Sequence, residues 1–213
     1  VREIKEEGVM EERTVFPKYG TFVEASGRLA EQLRFLAKAV STDETRYFMN
    51  FIYVENSGVV SDTQRLKAVT TDGRRLHIVD PLHELGGLMG MEPGFWKVIR
   101  VGPRVVQIAK MREDQGTFPN YKKILERLGE PGHTSKFLGF DMSKSACYQG
   151  ENYQNMVSLF RSFPEKTVLN FHYLADLSTT PGEPWEVKWT DATWAITFTA
   201  NEKLAVIMPM QAD

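Results

Sequence analysis

A single cysteine, Cys147, in 213 residues excludes an intramolecular disulfide. No apolar run approaches membrane-spanning length, and no signal-like apolar stretch follows the charged N-terminus, so no membrane role and a reducing, cytoplasmic setting are expected. Neither sign of charge prevails: 26 Lys and Arg against 28 Asp and Glu leave a formal net charge of −2. That balance excludes a wholesale basic coat for nucleic acid but leaves room for a local basic face. Catalytic constellations are lacking too. His77, His83, His133 and His172 show no metal-ligand spacing with one another or with Cys147, and no Gly-x-Ser-x-Gly elbow occurs. Gly86-Gly87 and Gly90 lack the lysine of a phosphate-binding loop. A protein that is not an enzyme, with no cofactor and no metal, is the expectation.

What is present is a core-forming chain with 42% hydrophobic residues, enough for one substantial core or two small ones. Residues 1–15 are charge-rich with few apolar anchors and read as a tail. From Ser26 onward Leu29, Leu33, Leu36, Ala37 and Val40 recur at helical spacing, placing Arg34 and Lys38 on a solvated face. Tyr47 to Glu55 has strand composition, with Asn56-Ser57-Gly58 as a turn after it. Strands follow through Leu66 to Thr70 and Leu76 to Val79, then a weak helix over Leu82 to Met89. Trp96 to Val101 and Val105 to Ala109 read as strands joined at Gly102-Pro103. Glycines and prolines from Gly129 to Gly132 mark the best boundary, giving units 16–128 and 129–213. Tyr153 to Phe163 has helical spacing, a strand is expected through Val168 to Phe171, and a short helix from Tyr173 to Leu177. The clearest local signal is the end. Trp185, Val187 and Trp189, then Trp194, Ile196 and Phe198, alternate with small or polar residues, and Leu204 to Met208 closes a three-strand meander. Helices interspersed with antiparallel strands define an α+β class.

Three separated motifs carry more. Arg46-Tyr47-Phe48-Met49-Asn50 precedes Val69-Thr70-Thr71-Asp72-Gly73-Arg74-Arg75-Leu76; Phe118-Pro119-Asn120-Tyr121-Lys122-Lys123-Ile124 opens the linker; Val206-Ile207-Met208-Pro209-Met210 lies near the C-terminus. In that order they resemble the second and third domains of the bacterial DNA polymerase III beta subunit, the replicative sliding clamp. Leu169 to Leu177 and Thr190-Asp191 are similar to the end of the third domain. Pro131 to Phe163 is not placed by the resemblance. It implies repeated clamp-type units with short helices packed on antiparallel sheets, assembled as a homo-oligomer.

The resemblance also implies a hydrophobic pocket capturing short peptides of DNA polymerase, the clamp loader or repair proteins. Its lining would be Met49, Thr71, Gly73, Arg74, Arg75, Leu76, Pro119, Lys123, Ile124, Val206, Met208, Pro209 and Met210. Methionine is flexible and polarizable, so Met208 and Met210 suit several related apolar anchors; Arg74, Arg75 and Lys123 would hold the polar or acidic part of the peptide. Read without the resemblance, the methionines are core or edge packing and Thr71-Asp72-Gly73 is an ordinary turn. Duplex DNA would be contacted through its phosphates, without base readout, by Arg28, Arg34, Lys38, Arg46 and Tyr47. The same residues also fit a solvated helix face, as Glu24 and Glu31 suggest.

The chain departs from the family pattern at several points. No counterpart of the first clamp domain is present, the third is shortened, Arg74 stands for a histidine and Lys123 for an arginine, and Gln211 for a terminal arginine. Lysine and arginine are not equivalent at a bidentate contact. These departures keep open a second function, an interaction module that binds peptides without encircling DNA.

Overall fold

The computed structural model describes residues 19–60, 63–83, 91–112, 115–128, 132–139, 151–163, 167–177, 182–190 and 195–210. Two runs of similar order, a strand, one helix in the first run and two in the second, then three strands, build the described fold. The first is β1 (Tyr19–Ala25), α1 (Gly27–Ala37), β2 (Ile52–Val60), β3 (Thr63–Thr71) and β4 (Arg75–Val79), followed by the hairpin β5 (Gly94–Val101) and β6 (Val106–Met111). A short helix α2 (Lys122–Glu126) lies in the linker. The second run is β7 (His133–Leu138), α3 (Glu151–Ser162), α4 (Phe171–Leu177), β8 (Pro184–Trp189), β9 (Ile196–Ala200) and β10 (Lys203–Ile207).

The ten strands among the described residues form one antiparallel sheet in the order β1-β6-β5-β2-β3-β4-β10-β9-β8-β7. The expected α+β class with helices on an antiparallel sheet is what the chain adopts. The two runs meet where β4 pairs with β10, Leu76 opposite Val206 and Val79 opposite Lys203. Because successive strand residues point to opposite faces, each strand at this seam feeds two cores. Val79, Ala205 and Ile207 join the helix-side core with Leu33, Phe35 and Leu36 of α1. Leu76, Ile78 and Val206 join a second core on the other face, closed by Phe118 and Tyr121 of the linker. The helix-side core crosses the seam: Phe35 packs on Trp185 with ring centroids 5.8 Å apart, and Phe137, Leu174 and Phe198 of the second run belong to it.

Several local expectations differ from the fold. Glu44–Met49 is a 3-10 turn, so the expected strand starts only at Ile52. Its N-cap Asp43 accepts from the Thr45 amide at 2.9 Å, a local bond that outweighs the β propensity of Tyr47 and Phe48. Asn56-Ser57-Gly58 is not a turn; β2 runs through it with a register shift between Asn56 and Gly58. Gly58, at φ 142, supplies the kink, since the residue types that favour turns also serve bulges. Val168 makes only an isolated bridge with Met210, and Phe171 already opens α4. Arg34 is half-buried, its guanidinium donating to the Gly102 carbonyl at 3.4 Å, instead of lying on a fully solvated face. Strands β1 and β7 were not expected from sequence. The weak helix over Leu82 to Met89, the tail 1–15 and Trp194 fall wholly or mostly outside the described residues.

Candidate functional site

The Thr71–Arg75 loop is set by its own side chains. Asp72 Oδ1 accepts from the Arg74 and Arg75 amides at 2.9 and 2.8 Å, and the Thr71 hydroxyl donates to the Arg75 carbonyl at 2.6 Å. Gly73 adopts φ 88, where an L side chain is strained, and a Cβ there would lie 2.7 Å from Arg46 Nη1. The backbone conformation favours glycine, whereas the half-exposed Arg46 guanidinium could move aside. The loop and Arg46, expected at different sites, are therefore neighbours.

From this loop β4 runs antiparallel to β10, and the ladder continues one step past the strand as the Met208 amide donates to the Arg74 carbonyl at 3.0 Å. Met210 then donates to the Val168 carbonyl at 2.8 Å, tying the end of the described chain to the segment before α4. Met208 is 44% exposed and Met210 38%, with Val168 also exposed between them and α4. An apolar rim fastened by backbone bonds, with mobile thioether side chains, can take up apolar side chains of varied shape.

The three motifs converge. Leu76 from the first, Phe118 and Tyr121 from the second and Val206 from the third share one core cluster, with Leu125 of α2 packed against it. Leu76 and Val206 are themselves buried in that core. Thr71 is buried, Met49, Pro119 and Pro209 are half-buried, and Gly73, Arg74, Lys123 and Ile124 are exposed. Pro119 lines an adjacent open cleft of about 760 Å³ between the linker and the ends of β2, β5 and β6, beside Tyr53, Glu55, Phe95 and Lys122. Among the thirteen expected residues it alone does so, so this cleft is not the expected pocket. Tyr121 holds the linker there by donating its hydroxyl to Glu55. Burial, with that carboxylate beside it, pushes the phenol far above its ordinary range.

Arg75 is otherwise employed. Its side chain is 11% exposed, bonds Asp72 at 2.8 Å and Asp176 of α4 at 2.5 Å, and lies 4.3 Å over the Tyr173 ring. Its Nε and Nη1 are engaged by the two carboxylates, which orients the guanidinium within the fold. Arg74 and Lys123 are exposed. Sequence reasoning missed Val168, Tyr173 and Asp176; the run Leu169 to Leu177, already matched to the clamp pattern, was the signal that could have found them.

The expected DNA-facing residues do not form a bare basic stripe. Arg28 pairs with Glu202, Lys38 lies 3.2 Å from Asp176 and Arg46 3.7 Å from Asp43, while Tyr47 is exposed. Among the described residues no group of three or more His, Cys, Asp or Glu could hold a metal, and no helix is long and apolar enough to cross a membrane.

No protein-family model matches the chain. Its sequence is 35% identical over 115 residues to the "Beta sliding clamp" of Caulobacter vibrioides, a match spanning 52% of this chain but 28% of the relative's length. Among solved structures, a Pseudomonas aeruginosa DNA polymerase sliding clamp aligns with a TM-score of 0.54 at 14% identity, over 93% of this chain and 69% of that one. Caulobacter crescentus pol III beta gives a TM-score of 0.53 at 17% identity, over 96% and 68%. The fold is that of the DNA clamps. Within that class, the chain resembles the bacterial beta sliding clamp, the beta subunit of DNA polymerase III.

Proposed function

We propose that the chain is a clamp-like processivity or tethering factor. It captures short hydrophobic peptides of DNA polymerase, clamp-loader or repair proteins at the β4–β10 seam, acts in the cytoplasm as a homo-oligomer, and does no catalysis. Residues 16–128 and 129–213 act as two clamp-type units joined at that seam. The observation that carries this reading is the meeting of three sequence-distant motifs beneath one exposed apolar rim, Met208 to Met210. A leucine-like anchor buried there contributes roughly 1.5–3 kcal/mol. Arg74 and Lys123 supply charge for the polar flank of the peptide.

Duplex DNA would be held through its phosphates by Arg28, Arg34, Lys38 and Arg46. The ion pairs of Arg28, Lys38 and Arg46 are half-exposed and weak, so phosphates can replace the acids. That pairing also favours a second reading, a peptide-binding module that never encircles DNA.

Fluorescence titration with a labelled Gln-Leu-Ser-Leu-Phe peptide tests the capture site. Saturable binding weakened about fivefold or more by Met210→Ala is expected; no saturation, or indifference to the substitution, overturns it. Retention on circular but not linearised DNA separates the first reading from the second.

A further inference from the structure

The open cleft beside the linker has no part in the proposed function. It holds about 760 Å³ where β5 begins, a size suited to a bound ligand, and Pro119 alone of the expected capture residues reaches it. Its floor is three packed rings. Tyr53 stacks on Phe118 with centroids 5.0 Å apart and lies 5.2 Å from Phe95, so the floor is fixed before anything binds. Phe95 and Phe118 are buried, while Tyr53 is half-buried. One wall is main chain. β5 pairs with β2 only as far as Gly94 opposite Val54, whereas β2 continues to Val60. Glu55 and Asn56, both lining the cleft, therefore have a described strand neighbour, β3, on one side only. The backbone groups on their other side open on the cleft.

The charges along the walls differ in how far they are engaged. Glu55 accepts from the Tyr121 hydroxyl and lies 3.4 Å from Lys122 Nζ, so the one carboxylate lining the cleft already has two partners. Arg112 also lines the cleft, is exposed, and makes no ion pair among the described residues. A guanidinium beside an apolar floor grips a carboxylate bidentately, more strongly than it would in open water. One face of Tyr53 is already taken by Phe118, which leaves little ring for a nucleobase to stack on. Open main chain along β2, an apolar floor and one unpaired cation instead match an extended peptide with an apolar side chain and an acid.

We propose that the cleft is a second peptide site, taking an extended acidic segment of a partner protein that carries an aromatic residue ahead of its acids. It is separate from the β4–β10 seam and does not depend on capture there.

Fluorescence anisotropy of the full chain with a labelled Gly-Phe-Val-Asp-Asp peptide tests it, beside the controls Gly-Phe-Val-Lys-Lys and Gly-Gly-Gly-Asp-Asp. Saturable binding of the first peptide alone is expected, unaffected by excess Gln-Leu-Ser-Leu-Phe or by Met210→Ala. Arg112→Glu weakens that binding about tenfold or more through loss of a charge-assisted bond. The same variant gains affinity for the Lys-Lys peptide, a swap that a folding defect does not produce. Thr117→Trp, at an exposed position lining the cleft, blocks binding by filling it. The proposal is overturned by no saturation, by equal binding of Gly-Gly-Gly-Asp-Asp, or by indifference to Arg112→Glu. Displacement by Gln-Leu-Ser-Leu-Phe overturns it too, since the acidic peptide would then lie at the seam, as does an oligothymidine that binds with the same dependence on Arg112. If the acidic peptide binds and Gln-Leu-Ser-Leu-Phe does not, the seam reading alone is refuted.

Discussion

The Arg75 guanidinium bonds Asp176 at 2.5 Å across 101 residues of sequence, and through it the loop beside the candidate site is locked to α4. Asp176 also lies 3.2 Å from Lys38 at the end of α1, so one carboxylate ties together β4, α1 and α4. With Arg75 only 11% exposed, Arg75→Ala takes the guanidinium from two carboxylates, which keep Lys38 and the loop amides as partners, and is expected to cost about 2 kcal/mol in urea unfolding. Arg75→Lys recovers little of it, because a lysine cannot bridge both acids and stack on Tyr173. Arg74→Ala, on the exposed side of the same loop, should change stability by less than about 0.5 kcal/mol.

Arg74 and Lys123 show the converse pattern. Replacing either with alanine is expected to weaken binding of a peptide with an acidic flank roughly threefold at low salt while leaving its apolar anchoring intact. The difference from the unaltered protein should vanish in high salt, because exposed charges are screened over about 10 Å at 0.1 M. Titrations at two ionic strengths check it; a loss that persists in high salt would assign these residues a packing role.

His77 gives stability a specific pH dependence. Buried beside Phe35, with centroids 4.2 Å apart, it donates Nδ1–H to the Phe35 carbonyl at 2.8 Å. Burial outweighs that bond, and the nearby Arg75 charge assists it, so the imidazole pKa falls to about 4. The native state then binds fewer protons than the unfolded state between about pH 6.5 and pH 4. Stability contributed by neutral His77 is complete above pH 6.5 and is lost as pH falls toward 4, up to about 3 kcal/mol in total. Chemical denaturation across that range should show a shallower decline for His77→Phe than for the unaltered chain; equal slopes would contradict the assignment.

Lys203 and Glu183 form a buried pair at 2.9 Å beside the Phe35 ring, both side chains nearly inaccessible. Such pairs are costly to break and cheap to replace. Lys203→Met alone leaves the Glu183 carboxylate unpaired and is expected to cost about 3 kcal/mol, whereas Lys203→Met with Glu183→Leu returns close to the starting stability. A double-mutant cycle by thermal unfolding measures the coupling.

The parts of the fold legible in sequence were those with one clean buried face. Trp185, Val187 and Trp189 alternate with Glu186 and Lys188, and the structure buries all three. β1 and β7, at the two ends of the described sheet, escaped notice because their residues are mixed: Tyr-Gly-Thr-Phe-Val-Glu-Ala sets Phe22 and Val23 side by side, and His-Thr-Ser-Lys-Phe-Leu is half polar. The bulge at Asn56 to Gly58 has the residues of a turn, and only pairing with β3 separates the two. The family resemblance implied that the three motifs converge, and Leu76, Tyr121 and Val206 share one core cluster. It could not show that Arg75 is consumed by Asp176, since a long-range ion pair leaves no local pattern.

Photo-cross-linking maps the proposed capture site most directly. A Gln-Leu-Ser-Leu-Phe peptide with a diazirine leucine at its second leucine should, on irradiation at saturating concentration, label residues Val206 to Met210 and the linker around Ile124. Excess unlabelled peptide should abolish the labelling. Labelling confined to the Tyr53–Phe95 cleft, to β1 or β7, or spread evenly over the surface would contradict the claim that the β4–β10 seam is where this clamp-like chain takes hold of its partners.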